Sequence, residues 1–215
     1  MSSVAWLALA ACCGLMNIGS ELLQRRTLKY ATKPATLLLI MLAVGLGDTP
    51  SASVRNIFLL AFGLSMLGDI ALMLERDLFL YGLLAFLAAH LAFIAGFSYE
   101  LAASPPLLAM LPFLAHAALM LRWLWPEVPS KLRAPVVVYV AALVAMGITA
   151  LGFFLEAPYG RSSGALLLAG ALSFLVSDSV LAVRRFRGDF KGAQTAILLS
   201  YFAAQLAFAG SVLGA

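Results

Sequence analysis

The sequence predicts an all-α membrane protein, a polytopic bundle of eight transmembrane helices with both termini on the non-cytoplasmic side. Composition is the first of three observations that carry this prediction. Of the 215 residues, 63% are hydrophobic and 11% are charged, and the mean hydropathy is +1.01. A soluble domain carries about 25% charged residues. The chain is therefore expected to be an integral membrane protein, with residues 1–215 forming one membrane domain.

The second observation is the spacing of the apolar runs. A spanning helix needs about 20 mostly apolar residues, and short connections rich in Gly, Pro and Ser divide the chain into eight such runs. The first run lacks the basic flank of a signal peptide and is expected to be a retained helix. The eight predicted helices are about 4–20, 34–47, 57–74, 78–97, 105–122, 135–155, 164–183 and 193–213.

Prolines are used to place the predicted helix boundaries. Pro34, Pro105 and Pro135 are expected at helix starts, where the missing N–H removes no hydrogen bond. Pro112 is expected inside helix five, where it would kink the helix. Helix two is the shortest candidate, so the count of eight needs independent support.

The distribution of basic residues gives that support and is the third observation. With eight helices and the N-terminus outside, 12 of the 14 lysines and arginines fall on one side, and only Arg55 and Arg161 fall on the other. If helix two is not counted as a span, the lysines and arginines divide into 6 on one side and 8 on the other, which shows no bias. Because basic residues accumulate on the cytoplasmic side, eight helices are favoured. The basic residues behind the net charge of +4 then form a rim that faces anionic membrane lipids. No nucleic-acid partner is implied.

Two acidic residues are out of place in this arrangement. Eight of the ten acids fall in connections or at helix ends, whereas Asp69 and Asp178 lie inside predicted spans. A charge within the bilayer costs about 3 kcal/mol even on lenient scales. Both aspartates are therefore candidate functional residues.

Their depths match. Asp69 precedes Glu75 by six residues and Asp178 precedes Arg184 by six, which places each about 9 Å inside the inner boundary. Helices three and seven run in the same direction, so the two carboxylates can share a cavity open to the inner leaflet. The similar segments GDIAL and SDSVL around them hint at a duplication of four helices.

Other polar side chains are predicted to reach this cavity. Ser65 lies one turn before Asp69 on the same helix face, His116 lies at a similar depth on helix five, and His90 lies near the midplane of helix four. Each also has a purely structural interpretation, because intramembrane polar groups often only join helices by hydrogen bonds.

Helices eight and two contribute further candidates. Tyr201 and Gln205 are spaced i, i+4 and share a face with Gln194, while Lys33 is predicted to open helix two at the inner boundary. Packing for the tyrosine and a topological role for the lysine are the alternative interpretations.

An aspartate pair in a poorly hydrated site suits acid–base hydrolysis. Burial and a neighbouring carboxylate favour sharing of one proton, which leaves one acid and one base. Glycosidases use such a pair around an oxocarbenium-like transition state, and a membrane enzyme could act so on an ether-like lipid bond. No G-x-S-x-G motif or nucleotide-binding glycine pattern is present. A metal site built from His90, His116 and the aspartates is disfavoured, because zinc motifs such as H-E-x-x-H are missing.

At these residues the sequence resembles a known family. The segments LGDIALML, LYGLLAFLAAHLAFIAGF, LVSDSVLAVRRF, LSYFAAQLAFAGS and, from Lys33, KPATLLLIML are similar to those of the YhhN-like lysoplasmalogenases. The resemblance covers about residues 33–211. Where many relatives have tyrosine three residues after the histidine, this chain has Phe93.

The resemblance implies an eight-helix membrane hydrolase that cleaves the vinyl ether of lysoplasmalogens. The products are a fatty aldehyde and glycerophosphoethanolamine or glycerophosphocholine, and no metal or organic cofactor is implied. Asp69 and Asp178 would supply the acid and the base, in either order. His90, Tyr201 and Gln205 would position water or substrate.

The basic groups and the location complete this interpretation. Lys33 or a rim arginine would meet the phosphate of the lysophospholipid substrate, and a bacterial inner (plasma) membrane is the expected location. Headgroup preference and oligomeric state stay open. The alternatives are a proton-coupled carrier or lipid-binding protein that uses the aspartates as a proton relay, and a purely structural membrane protein.

Overall fold

The fold is a bundle of helices, as expected. The computed structural model describes residues 2–74, 76–99, 101–102 and 104–213. These residues form eight α-helices, each long and apolar enough to cross a membrane, and no β-strand. The helices are α1 Ser3–Leu22, α2 Arg26–Leu46, α3 Ala52–Met73, α4 Phe79–Ser98, α5 Leu107–Leu124, α6 Ser130–Glu156, α7 Arg161–Arg187 and α8 Ala193–Leu213, with a 3₁₀ turn at Trp125–Glu127. The all-helical class and the eight candidate spans are confirmed.

Three predicted helix starts are wrong, and one of them is that of α3, which begins at Ala52 rather than at residue 57. α2 begins at Arg26 rather than at residue 34, and α6 begins at Ser130 rather than at residue 135, so that Pro34 and Pro135 lie inside helices. The extra turns contain Arg, Lys, Leu and Ala, which favour helix without being apolar enough to count as membrane span. Lys33 consequently lies about two turns into α2 instead of opening it.

Side chains of α1 hold this part of α2 in place. The Asn17 amide donates to the Lys29 carbonyl at 3.0 Å and to the Thr32 hydroxyl oxygen at 2.9 Å. The Cys13 thiol donates to the Thr32 carbonyl at 3.4 Å. These bonds fix the turn that carries Lys33 against the neighbouring helix.

The remaining boundaries agree better with the prediction. Pro112 lies inside α5, and Pro105 lies two residues before its first residue. Glu75 and Glu100, which the sequence places in connections, lie outside the described residues.

Neighbouring helices pack as pairs. α1 packs on α2, α3 on α4, and α7 on α8, while α4 also contacts α6, and α6 contacts α7. α8 reaches across to α1, α2 and α3. α5 packs against α6 and α7, and among its residues Phe113 and Leu124 are the buried ones.

The half of the bundle that contains the start of α1 and the end of α8 is closed by an aromatic cluster. It consists of Phe58, Phe62, Phe93, Phe97 and Phe208 from α3, α4 and α8, all almost fully buried, with the Phe93 and Phe208 ring centroids 4.5 Å apart. The Phe93 ring has no hydroxyl and needs no hydrogen-bond partner in this cluster. The polar side chains around the two aspartates lie toward the opposite end of the bundle.

Two glycines allow α3 and α4 to approach closely beside Asp69. A Cβ added at Gly68 would lie 2.6 Å from the Phe86 ring, and one added at Gly82 would lie 2.6 Å from Leu72 Cδ2. The close approach positions Phe86 and Leu72, which both line the cavities described below.

Candidate active site

Asp69 on α3 is held from two other helices. Its carboxylate is almost fully buried, at 1% exposure. The ammonium of Lys33 on α2 lies 2.8 Å from Oδ1, and the hydroxyl of Tyr201 on α8 donates to Oδ2 at 2.6 Å. The same ammonium lies 5.6 Å from the centre of the Tyr201 ring. Both oxygens of Asp69 therefore have a donor, and one donor is a cation.

Asp178 on α7 has different partners. The hydroxyl of Tyr139 on α6 donates to Oδ2 at 2.5 Å. Nε2 of His90 on α4 lies 3.2 Å from Oδ2 and 3.0 Å from the Tyr139 hydroxyl. Within the described parts of the chain, no lysine or arginine forms an ion pair with Asp178, and no donor contacts its Oδ1. His90 is fully buried, whereas 8% of Asp178 is exposed.

A polar cavity connects the two aspartates to the end of the bundle that carries most of the basic residues, called the basic rim below. Asp69 and Asp178 both line it, together with Lys33 and Tyr201. Toward the rim its walls carry further polar and basic side chains, namely Asn17, Lys29, Arg184 and Gln194. The sequence analysis expected the two carboxylates to share a cavity, and both line this one.

A second cavity is apolar and runs between α3, α4, α5, α6 and α7. Aliphatic and aromatic side chains form most of its wall, and Val136, Val140 and Val144 mark its course along α6. Asp178 and Tyr139 lie in this wall as well. Asp178 therefore faces both the polar and the apolar cavity.

His116 lies in the wall of the apolar cavity rather than at the aspartates. Its Nε2 is 2.9 Å from the Ser179 hydroxyl oxygen. Because that hydroxyl donates its own hydrogen to the Leu175 carbonyl at 2.7 Å, Nε2 of His116 must be the donor. Ser179 follows Asp178 directly, so the histidine supports the same turn of α7 from α5.

Ser65 and Gln205 lie deeper in the bundle. Each is fully buried, one turn from Asp69 and Tyr201 respectively, and neither is among the residues that line the two cavities. The Ser65 hydroxyl has no hydrogen-bond partner in the described structure. Gln194, in contrast, lines the polar cavity on the same side as Tyr201.

Charged pairs surround the mouth of the polar cavity. Lys29 pairs with Glu21 at 2.7 Å, and Arg184 pairs with Asp189 at 3.1 Å and donates to Gln194. These are the basic groups nearest the rim of the cavity.

A neighbouring ion pair ties the α3–α4 connection to the end of α7. Arg185 donates to both oxygens of Asp77, at 3.0 and 3.1 Å. This hydrogen bonding, followed by the charge of the guanidinium, holds the pKa of Asp77 below its usual value.

The sequence analysis missed Tyr139. It lies in the apolar run VVVYVAAL of helix six, where a tyrosine is easily taken for packing or for an interface residue. Its predicted depth did not distinguish it either: helix six was expected to begin at residue 135, which places Tyr139 only about 6 Å inside the span, within the range of an interface residue.

Taken together, these features define a multi-pass membrane protein with two buried carboxylates, one paired with a lysine and one with a tyrosine and a histidine. Among the described residues, no group of three or more His, Cys, Asp or Glu is arranged to hold a metal ion. The profile of the YhhN family matches residues 28–212, and the chain belongs to this family.

Two similar proteins are lysoplasmalogenases from Mycobacterium bovis (strain ATCC BAA-935 / AF2122/97) and Mycobacterium tuberculosis (strain CDC 1551 / Oshkosh). Each is 31% identical to this chain over 195 residues, which cover 87% of this chain and 71% of the relative. No solved structure shows significant similarity to the chain.

Proposed function

We propose that this protein is a lysoplasmalogenase that hydrolyses the vinyl ether of a lysoplasmalogen by acid–base catalysis with Asp69 and Asp178. The products are a fatty aldehyde and glycerophosphoethanolamine or glycerophosphocholine. The observation that carries the proposal is the position of Asp178 where a polar and an apolar cavity meet. A single-chain lipid has its vinyl ether at such a boundary, between the chain and the polar headgroup. The family and the names of the two relatives support the same activity.

The two cavities suggest how the substrate lies. The alkenyl chain occupies the apolar cavity along α6, and the glycerophosphate end occupies the polar cavity. Lys33 is 12% exposed and paired with the buried Asp69, so the phosphate is expected nearer the rim. There it would meet Lys29 and Arg184, which are 31% and 34% exposed and would exchange their pairs with Glu21 and Asp189 for the phosphate. A substrate with a second acyl chain would have to place that chain in the polar cavity, which disfavours intact plasmalogens.

The reaction needs only a proton donor, a proton acceptor and water. Protonation of the vinyl β-carbon produces an oxocarbenium ion at the α-carbon, and water then adds to that carbon and loses a proton to the base. The resulting hemiacetal breaks down to the aldehyde and the free glycerol hydroxyl. A general acid and a general base each contribute about 10²- to 10⁴-fold to such steps.

The membrane location belongs to the same proposal. With the basic ends of α2, α6 and α7 on the cytoplasmic side, both termini lie outside, and the polar cavity opens to the inner leaflet of a plasma membrane. The lysophospholipid would then enter from that leaflet with its headgroup at the basic rim.

The direct test is aldehyde release by the purified protein in detergent. We expect release from 1-alkenyl lysophospholipids with ethanolamine or choline headgroups, and none from the matched 1-acyl lysophospholipids, because an ester offers no carbon to protonate. If a folded preparation releases no aldehyde but moves labelled lysophospholipid across sealed vesicles without consuming it, the carrier alternative replaces the enzyme.

A further inference from the structure

We propose that Asp178 is the proton donor of the reaction and Asp69 the carboxylate that accepts a proton from water, with Tyr139 positioning Asp178. This assignment rests on the proposed function and goes beyond it, since the sequence leaves the order of the two aspartates open. Its basis is the difference between the partners of the two carboxyl groups.

Asp69 is the carboxyl group that has a cationic partner, Lys33. Lys33 and Asp69 have side-chain exposures of 12% and 2%, and a buried carboxylate and ammonium are retained as charges when they are paired. Tyr201 supplies a second donor to the other oxygen. An ionised carboxylate offers about four lone-pair sites, so two remain to accept a hydrogen bond from water.

In contrast to Asp69, Asp178 is paired with no lysine or arginine among the described residues. Its partners Tyr139 and His90 are hydrogen-bonding groups without a fixed positive charge, and a carboxylate at Asp69 lines the same cavity. Two carboxyl groups facing one poorly hydrated cavity share a proton. Because Lys33 neutralises Asp69, that proton resides on Asp178.

The hydrogen bonds leave one oxygen of Asp178 for this proton. Tyr139 donates its single hydroxyl hydrogen to Oδ2, and Nε2 of His90 lies within hydrogen-bonding distance of both Oδ2 and the Tyr139 oxygen. Oδ1 has no partner in the described residues, and it is the oxygen that can carry the acidic hydrogen. Tyr139 thereby fixes the carboxyl plane and leaves Oδ1 available to the substrate at the junction of the cavities.

With these roles, every proton transferred in the reaction is accounted for. The O–H bond of Asp178 breaks as a C–H bond forms at the vinyl β-carbon. Water then forms a C–O bond at the α-carbon, and Asp69 takes its proton. In the hemiacetal, Asp178 removes the hydroxyl hydrogen while Asp69 returns its proton to the departing glycerol oxygen, which restores both carboxyl groups.

The test is the pH dependence of kcat for two matched variants, Tyr139→Phe and Tyr201→Phe. The groups that face the two carboxyls are Lys33, His90, the two tyrosines and the opposite aspartate. Each variant removes one hydroxyl donor from one aspartate. If Asp178 is the acid, Tyr139→Phe moves the alkaline limb of the profile to higher pH by about one unit, and Tyr201→Phe moves the acidic limb to higher pH by a similar amount.

Two more variants serve as a second test of Asp69 and as a control. Lys33→Gln should move the acidic limb in the same direction as Tyr201→Phe, because it also removes a partner of Asp69. Tyr30→Phe removes a hydroxyl that donates to the Met73 carbonyl at 3.1 Å, and it should move neither limb.

The outcomes separate this assignment from the proposed function. Exchanged limbs, or limbs that stay in place in folded, active variants, overturn the assignment and leave the lysoplasmalogenase proposal intact. Wild-type protein that is folded but releases no aldehyde overturns both.

Discussion

The ion pair between Lys33 and Asp69 sets the charge balance of the polar cavity. Its two members come from different helices and lie 2.8 Å apart, almost out of contact with solvent. Removing one partner of a buried pair leaves an uncompensated charge, which costs about 3 kcal/mol or more. Asp69 would avoid that cost by taking up a proton, and it could then no longer act as a base.

We therefore expect Lys33→Met to fold but to lose about 100-fold in kcat/KM, the scale of general base catalysis. The control is Lys131→Met, which removes an exposed lysine at the start of α6 and should leave kcat/KM within about twofold of the wild-type value, as for surface changes in general. Aldehyde release by detergent-purified variants measures both. Full activity in Lys33→Met would show that the ion pair is not needed for catalysis.

At the scale of single residues, the sequence predicts some site residues and misses others. Asp69 and Asp178 could be found because acids are costly inside a span, whatever the fold. Lys33 was taken for a boundary residue because Pro34 was assumed to start its helix. Tyr139 gave no signal because the contact that matters, its hydrogen bond to Asp178, joins residues on two different helices.

At the scale of single elements, the crossing of α3 and α4 shapes the site. Gly68 precedes Asp69 and contacts the Phe86 ring, which lines both cavities. The ring is itself packed against Phe174 and Tyr201. It therefore has little room to move if a methyl group is added at the glycine.

We expect Gly68→Ala to lower the free energy of unfolding by about 1–2 kcal/mol through overpacking and to reduce kcat by about tenfold or more through displacement at the site. Gly63→Ala is the control on the same helix, because its Cβ would meet only Met41 Cε at 3.9 Å. Thermal melting and aldehyde release should change for Gly68→Ala alone. Equal behaviour of the two variants would contradict a tight α3–α4 crossing.

The wall that α6 contributes to the apolar cavity is expected to set the accepted chain length. Val144 is the lining residue of α6 farthest from the start of that helix and is 6% exposed. Val144→Phe should lower kcat/KM for long alkenyl chains relative to short ones by about tenfold, since each excluded methylene forfeits about 0.8 kcal/mol.

The matched control is Val137→Phe, which adds the same ring to the same helix at a position 41% exposed and outside the cavity. It should keep the wild-type chain-length preference. A uniform loss for all chain lengths in Val144→Phe would place the chain elsewhere.

Helix existence and helix ends differ in how well the sequence predicts them. Seven of the eight spans were evident from length and hydropathy, and the short second span was supported by the distribution of basic residues. The ends of the helices were not evident, because α2, α6 and α7 continue as helix through polar residues such as Arg26–Lys33 and Arg184–Arg187. Hydropathy indicates where the apolar span ends, whereas the backbone hydrogen bonds of the helix continue beyond that point.

At the scale of the whole molecule, the contacts around the aspartates repeat after four helices. Asp69 on α3 is held by α2 and α8, and Asp178 on α7 is held by α6 and α4. Moving each helix four places along the chain converts one set into the other. Each half of the chain therefore lends its last helix to the aspartate of the other half, which agrees with the similarity of GDIAL and SDSVL.

The orientation of the bundle gives a prediction for the whole molecule. In a background in which Cys12 and Cys13 are replaced by Ala, Asp48→Cys and Lys191→Cys each place one thiol in an exposed connection. If the basic rim is cytoplasmic, an impermeant maleimide should label Asp48→Cys in intact bacteria and Lys191→Cys only after permeabilisation. The reverse labelling pattern would contradict both the orientation and entry from the inner leaflet.

We propose that Asp69, paired with a lysine, and Asp178, paired with a tyrosine and a histidine, together hydrolyse a vinyl ether. The most direct measurement is aldehyde release from a lysoplasmalogen by the wild type, Asp69→Asn and Asp178→Asn, purified in detergent with a chelator present and shown to be folded. We expect chelator-resistant release by the wild type and a loss of at least about 100-fold in each variant. Release at the wild-type rate by either folded variant would contradict the account.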